Sequence, residues 1–270
     1  MTGLAETLAT WLARGEAAVL VTIAATRGST PRETGARMLV SATQVCGTVG
    51  GGRLEFEAIL AARTLIETGE AARDMAVPLG AAIGQCCGGH VALRLERAGP
   101  GFPEELARLE AAERARFPAV YLFGAGHTGK AIARALALLP LRLTWIDNRA
   151  SEFPETVAEG VATIITARPA DLIAQAGPDA SFLVLTHSHA LDFELTEAVL
   201  ARDDFRYLGL IGSATKRRRF EHWYVARGHH PATLQALTCP IGLVPVRDKR
   251  PEVIAALVAA EIVVATSSAA

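Results

Sequence analysis

Between residues 119 and 147 the order of apolar runs and glycines leaves this chain few ways to fold. Ala119-Val120-Tyr121-Leu122-Phe123 is a short apolar strand, and Gly124-Ala125-Gly126-His127-Thr128-Gly129 follows it without a break. Residues 130–139, rich in Ala, Ile and Leu, have helical spacing, and a second apolar strand over 141–146 ends at Asp147. Glycines at these three positions permit a tight strand-to-helix turn, close approach of a ligand's diphosphate, and close packing of helix on sheet. An acidic residue ending the second strand is placed to hold a ribose diol. Gly124, Gly126, His127, Gly129 and Asp147 are therefore candidate cofactor-binding residues.

The chain beyond this unit continues to alternate. Strands are predicted over 161–165, 182–185 and 207–210, with helices over 169–175 and 191–202, the pattern of a Rossmann-type doubly wound parallel sheet. Ligands of such sheets bind at the carboxyl ends of the strands. Two loops there carry polar groups. Thr186-His187-Ser188-His189, followed by Asp192, offers His187 and His189 as proton carriers or as local braces of the loop. Gly212-Ser213 leads into Lys216-Arg217-Arg218-Arg219, which reads either as phosphate-binding chemistry through Ser213 and Lys216 or as one solvated helix face. A terminal helix from Pro251-Glu252 to about Ala265 is apolar on nearly every side, as expected of a helix buried between domains or subunits, so a homodimer is expected.

The first hundred residues read differently, as an α+β unit. Leu4, Leu8, Trp11 and Leu12 recur at helical spacing, and a Val/Ile-rich strand over 18–26 ends at Arg27-Gly28-Ser29-Thr30-Pro31-Arg32. That loop, with Ser29 and Arg32, suits either an anion or a plain polar turn. Segments 37–40 and 44–49 read as a hairpin, and Gly50-Gly51-Gly52 opens a helix with Leu54, Ala58, Leu65 and Ile66 on one side. Free N–H groups at that helix start favour negative charge; a flexible turn is the alternative. A strand near 76–79 then precedes Gln85-Cys86-Cys87-Gly88-Gly89 and a strand over 90–96. Gly99-Pro100-Gly101-Phe102-Pro103 breaks the pattern, and 104–116 reads as a connector helix. The expected organisation is an α+β domain over 1–99, a linker and connector helix over 100–117, and a Rossmann-type domain with a buried C-terminal helix over 118–270.

Composition narrows the function. A net charge of −1 gives no bulk attraction to nucleic acid, and aromatics do not interleave with the basic run. The opening residues lack a secretory pattern and no apolar run approaches the roughly 20 residues of a spanning helix, so a cytoplasmic protein with no membrane partner is expected. Four cysteines, Cys46, Cys86, Cys87 and Cys239, are too few and too unevenly spaced for a disulfide framework. The adjacent pair lacks the gap that lets both sulfurs face one zinc ion. Cys86 and Cys87 are left as thiols for ligand or redox chemistry.

These motifs together resemble the XdhC/CoxI family, accessory proteins of xanthine dehydrogenase and related molybdenum hydroxylases. The likeness runs along nearly the whole chain. It rests on Gly28-Ser29-Thr30-Pro31-Arg32 with Gly35-Ala36-Arg37-Met38, Gly47-Thr48-Val49-Gly50-Gly51-Gly52 with Leu54-Glu55, and Gln85-Cys86-Cys87-Gly88-Gly89. Further on it rests on Gly124-Ala125-Gly126-His127, Asp147-Asn148-Arg149, Thr186 to Asp192, Gly212-Ser213 with Lys216-Arg217, Cys239-Pro240-Ile241-Gly242-Leu243 and Pro251-Glu252. The resemblance implies a chaperone, not itself an enzyme, that holds the molybdenum cofactor, a molybdopterin, during sulfuration by a cysteine desulfurase and delivers it to apo-xanthine dehydrogenase. Proteins of cofactor biosynthesis and insertion would be further partners. On this reading Gln85, Cys86, Cys87 and Gly88 meet the cofactor, with the two thiols as candidate ligands of its molybdenum. Glycine loops at Gly50, Gly51, Gly52 and Gly124 to Gly129 would hold phosphate and pterin. The alternative is an NAD-dependent oxidoreductase using the glycine motif with His187 or His189. Two positions depart from the family: Arg53 stands where relatives of the carbon monoxide dehydrogenase branch often have cysteine, and 246–250 replaces a common Gly-Ala-Lys-Thr.

Overall fold

Strand Ala18–Arg27 (β1) shows how the first unit is built, because its successive side chains serve two different cores. Val19, Val21 and Ile23 lie in one cluster with Leu54, Ala58, Ala62 and Leu65. Ala18 and Leu20 lie in another with Leu8, Trp11 and Leu106. A strand covered on both faces is a continuous apolar run, and that is why β1 does not alternate with polar residues.

The computed structural model describes residues 3–79, 88–242, 246 and 248–267. Cys86, Cys87 and Gln85 lie outside the described residues. The chain forms two compact units that divide between Glu113 and Arg114.

In the first unit β1 is joined by Arg37–Ser41 (β2), Val45–Gly47 (β3), Ala72–Leu79 (β4) and Gly89–Arg97 (β5). All pairings are antiparallel, in the order β3-β2-β1-β5-β4. Helix Gly52–Thr68 (α2) covers one face; Leu4–Ala13 (α1) and Phe102–Ala115 (α3) cover the other. Strand β4 extends four residues further toward the N-terminus than its apolar core at 76–79 predicts. As an edge strand it is half exposed, so its first residues carry no apolar signal, and Pro78 is tolerated there. Helix α3, expected as a connector, is held by this unit: Leu106 is buried, and the Glu110 carboxylate accepts from the Leu4 and Ala5 amides at 2.8 and 3.3 Å, capping α1.

The second unit is the expected parallel sheet. Strands Ala119–Phe123 (β6), Arg142–Asp147 (β7), Val161–Ile165 (β8), Ser181–Val184 (β9), Tyr207–Leu210 (β10) and Leu237–Thr238 (β11) lie in the order β11-β10-β9-β6-β7-β8. Numbered within the unit this is 3-2-1-4-5-6, the dinucleotide-binding order, with its switch point between β6 and β9. Helices His127–Leu136 (α4) and Pro251–Ser267 (α8) pack on one face; Ala170–Gln175 (α5), His189–Leu200 (α6) and Ala214–Ala226 (α7) pack on the other.

Helix α8 differs from expectation. It lies in a layer beside α4, so only the stripe Ala255, Val258 and Ile262 is buried, while Val263 is 39% exposed. Its Glu261 carboxylate accepts from the Tyr207 hydroxyl at 2.7 Å and the Gly242 amide at 3.0 Å, tying the helix to β10. Burial, reinforced by this carboxylate, raises the Tyr207 hydroxyl above its ordinary range and keeps it a donor. Val258→Ala should cost about 1–3 kcal/mol and Val263→Ala under about 0.5 kcal/mol in urea unfolding of the full chain. Equal losses would contradict the one-sided burial.

Candidate functional site

The crevice at the switch point is built from the glycine turn. Gly124 has φ +121°, and a side chain there would meet the Leu185 carbonyl oxygen at 2.1 Å. Gly129 is equally excluded, by the Gly124 carbonyl at 2.1 Å. Both glycines are needed so that loop, helix and strand can touch. Gly126 has open space around it and begins α4 without a side-chain cap, which leaves the first-turn amides, His127's among them, available to an anion. The tight turn at Gly124 and the close helix packing at Gly129 thus match the reading from sequence.

Asp147 does not. Its Oδ2 accepts from the Ala125 amide at 2.7 Å and from Arg149 Nη2 at 2.9 Å; its Oδ1 accepts from the Arg149 amide at 3.0 Å and from Nε at 2.9 Å. A carboxylate has about four lone-pair sites, and these donors fill them. The expected ribose diol therefore finds no free acceptor unless Arg149 moves. Burial alone would raise this carboxyl, but the Arg149 guanidinium and the two amides outweigh it and hold it below the usual range. Arg149 continues to Glu152 at 3.3 Å, and Glu152 to Lys130 at 3.3 Å, linking β7 to α4.

Across the switch point, the loop after β9 is braced by Thr186, Ser188 and Asp192 rather than by histidine. The Thr186 amide donates to Asp192 Oδ1 at 2.8 Å, its hydroxyl to the Ser188 carbonyl at 3.0 Å, and Ser188 Oγ caps α6 through the Leu191 amide. His187 and His189 are exposed beside this rigid turn, and His187 lines a recess with Phe123, Asp147, Asn148, Thr186 and Leu191. The recess holds about 10 Å³, room for a single water.

The basic run divides. Ser213 caps α7, accepting from the Lys216 amide at 3.3 Å. Lys216 turns inward past Gly212, where a side chain would strike its Cδ at 2.7 Å, and its Nζ meets the fully buried Asp192 at 2.5 Å. Arg217 donates to the carbonyls of Leu234 and Leu237. Only Arg218 and Arg219 fit the solvated-face reading, being exposed. Cys239, buried near Lys216 and Arg217, has its thiol pushed up by burial, which those cations only partly oppose, so it is no thiolate at neutral pH.

The first unit collects a second group of loops. Ser29 pairs with Gly88, and a side chain at Gly89 would meet the Ser29 carbonyl at 2.2 Å, so the end of the cysteine segment lies directly against the Gly28-Ser29 turn. Gly50, with φ +125°, rests on Pro31, whose Cγ stands 2.5 Å from where its Cβ would be. Arg32 is half exposed and pairs with Glu33 at 3.3 Å. At the start of α2 the chain supplies its own anion: Glu55 Oε2 accepts from the Val49 and Gly51 amides at 3.2 Å each and from the Thr48 hydroxyl. Gly51 and Gly88 have open space beside them. Gly52 lies on the exposed first turn of α2.

Glu55, Arg149 and Asp192 are the residues that sequence reasoning did not place in these sites. Spacing of Glu55 three residues after Gly52 and of Arg149 two after Asp147 is compatible with local capping, but nothing in the sequence pairs Asp192 with Lys216. Among the described residues no cluster of three or more His, Cys, Asp or Glu could hold a metal ion. Among them too, no helix is long and apolar enough to cross a membrane.

Residues 120–262 match the family model described as the XdhC Rossmann domain, and residues 11–77 match that of the XdhC and CoxI family. The chain belongs to the XdhC/CoxI family. The uncharacterised protein YqeB of Escherichia coli (strain K12) is 30% identical over 251 residues, 87% of this chain and 41% of YqeB. The chain thus spans about two fifths of that relative. A Bacillus halodurans crystal structure described as a xanthine dehydrogenase shares the fold, with a TM-score of 0.77, 19% identity, and coverage of 100% of this chain and 97% of that one.

Asp147→Asn should cost about 2–4 kcal/mol at pH 7, since it leaves Arg149 and the Ala125 amide without a charged acceptor. A carboxyl with a lowered folded pKa stabilises fully above its unfolded value of about 3.9, and this is lost as pH falls through the folded value. The difference between the two proteins in denaturant unfolding should therefore close below about pH 4; a pH-independent gap would contradict the assignment.

Proposed function

We propose that this chain is an accessory protein for a molybdenum hydroxylase of the xanthine dehydrogenase type, and that it binds the molybdenum cofactor through the loops of its first unit. The carrying observation is the pairing of Ser29 with Gly88, the residue that follows Cys87 in the sequence, while Gly50 rests on Pro31 of the same Gly28-to-Arg32 turn. The chemistry of this donor set fits the group. Gly51 and Gly88, with open space where a side chain would stand, and the Ser29 and Arg32 side chains suit a phosphate-bearing pterin, and adjacent thiols suit a soft metal. When bound, the cofactor would bring a molybdenum centre able to exchange an oxo for a sulfido ligand.

The residues' own work is to bind, orient and shield. Gly50, Gly51, Gly52, Ser29 and Arg32 would hold the phosphate, with Glu55 occupying two of the nearby amides until an anion competes for them. Gln85, Cys86, Cys87 and Gly88 would face the metal, the two thiols as its candidate ligands. Partners on this reading are apo-xanthine dehydrogenase, a cysteine desulfurase and cofactor insertion or biosynthesis proteins, and the setting is cytoplasmic. The exposed half of α8 supports a homodimer.

The Rossmann-type unit supports a second, weaker reading as an NAD-dependent oxidoreductase: its strand order and the open first turn of α4 at Gly126, His127 and Gly129 suit a dinucleotide. Against it stand the four donors on Asp147 and the one-water recess beside His187. Lys216 and Ser213 are likewise engaged within the fold, and His189 is left as an exposed group of unassigned chemistry.

Protein purified from molybdenum-replete cells should carry pterin and molybdenum in equal amounts, and Cys86→Ala with Cys87→Ala should lower both about tenfold or more while leaving the fold intact. Unchanged loading would remove the thiols from the role. Stoichiometric NADH binding, lost in Gly126→Val and without bound pterin, would establish the second reading instead.

A further inference from the structure

A groove of about 600 Å³ runs between α7 and the 3₁₀ segment Pro231–Ala236. Part of its lining is apolar: Val225 is 46% exposed, Leu234 is 7% exposed, and Ala226 and Pro231 complete the apolar part. The walls are fixed before anything binds, because Arg217 reaches from α7 to the Leu234 carbonyl at 2.9 Å and the Leu237 carbonyl at 2.5 Å. A groove held open in this way costs a ligand little reorganisation.

The unpaired charge near the rim is positive. Glu221, the acid that lines the groove, is neutralised by Arg217 at 2.6 Å, and the neighbouring Glu197 is held by Arg227 and His229. Arg218 lies one helical turn before His222, a lining residue, and so shares its face; Arg219 lies three residues before it. Both arginines are exposed and, among the described residues, have no ion-pair partner. The 3₁₀ wall contributes no acid. In a chain whose net charge is −1, two unpaired arginines near a partly apolar lining form a local exception. Arginine over an apolar surface is the composition of a protein-binding hot spot.

We propose that this groove docks an acidic amphipathic segment of a partner protein, with an apolar side chain seated on Val225 and Leu234 and flanking carboxylates on Arg218 and Arg219. Such segments bind through apolar anchors on one side and charge complementarity along the edges. The inference does not depend on what the glycine loops bind, since none of these residues belongs to them.

The test uses the full chain in its native host with the photoreactive residue p-benzoylphenylalanine at Val225 and, in a separate protein, at Gln235 on the opposite wall. Irradiation should cross-link both to one protein, within a segment carrying apolar residues flanked by at least two Asp or Glu. Arg218→Glu with Arg219→Glu should lower the yield about tenfold or more, with unchanged thermal unfolding, and a synthetic peptide of that segment should bind more weakly as salt rises from about 0.05 to about 0.5 M. Cross-linking to a second copy of this chain, to nucleic acid, or to a neutral or basic segment would overturn the proposal. So would no cross-link at either position, or a yield indifferent to the charge reversal. Pterin and molybdenum content of the double variant, measured in parallel, reports on the cofactor reading separately.

Discussion

The Asp147 carboxylate, at the end of β7 and almost closed to water, receives four hydrogen bonds from two stretches of chain. One donor is the Ala125 amide in the glycine turn; the others come from Arg149. Burial of an unpaired carboxylate would be costly, so the turn and the arginine must keep their places for the sheet to remain as it is. Trp145 adds to the same joint, donating its indole N–H to the Gly124 carbonyl at 2.9 Å. The crevice at the switch point inherits its shape from this arrangement. A residue that in a dinucleotide-binding sheet faces ligand here faces the protein.

The same substitution of an internal partner for an external one recurs. Asp192 and Lys216 neutralise each other between α6 and α7, and Glu55 sits on the amides at the start of α2. Each is a place where helix ends and glycines would attract an anion. In the second unit Asp147 and Asp192 are held by arginine and lysine, and the first turn of α4 at Gly126 is left open; in the first unit the amides at the start of α2 are held by a half-exposed glutamate.

Much of the fold was legible. The strands at 161–165 and 207–210 and the strand, turn and helix around Gly124 to Gly129 are local patterns, decided by apolar period and by glycines at positions where no side chain fits. Less local features were harder. Helix α6 begins at His189 rather than 191 because Ser188 caps it. Strand β4 hides its first half because an edge strand needs no apolar face. Helix α8 is apolar on nearly every side yet buried on one stripe, since composition does not say which neighbours a helix has.

By itself the sequence determined the α+β unit followed by a parallel sheet, the family, and the glycine turns, because each depends on residues close along the chain. Only the tertiary structure decided that Lys216 answers Asp192, that Ser29 lies against Gly88, that Gly50 rests on Pro31, and that Arg218 and Arg219, without an ion-pair partner among the described residues, are exposed near an apolar groove. These pairings join segments about 20 to 60 residues apart, and charge or spacing is equally consistent with many other partners until packing brings one of them within about 3 Å.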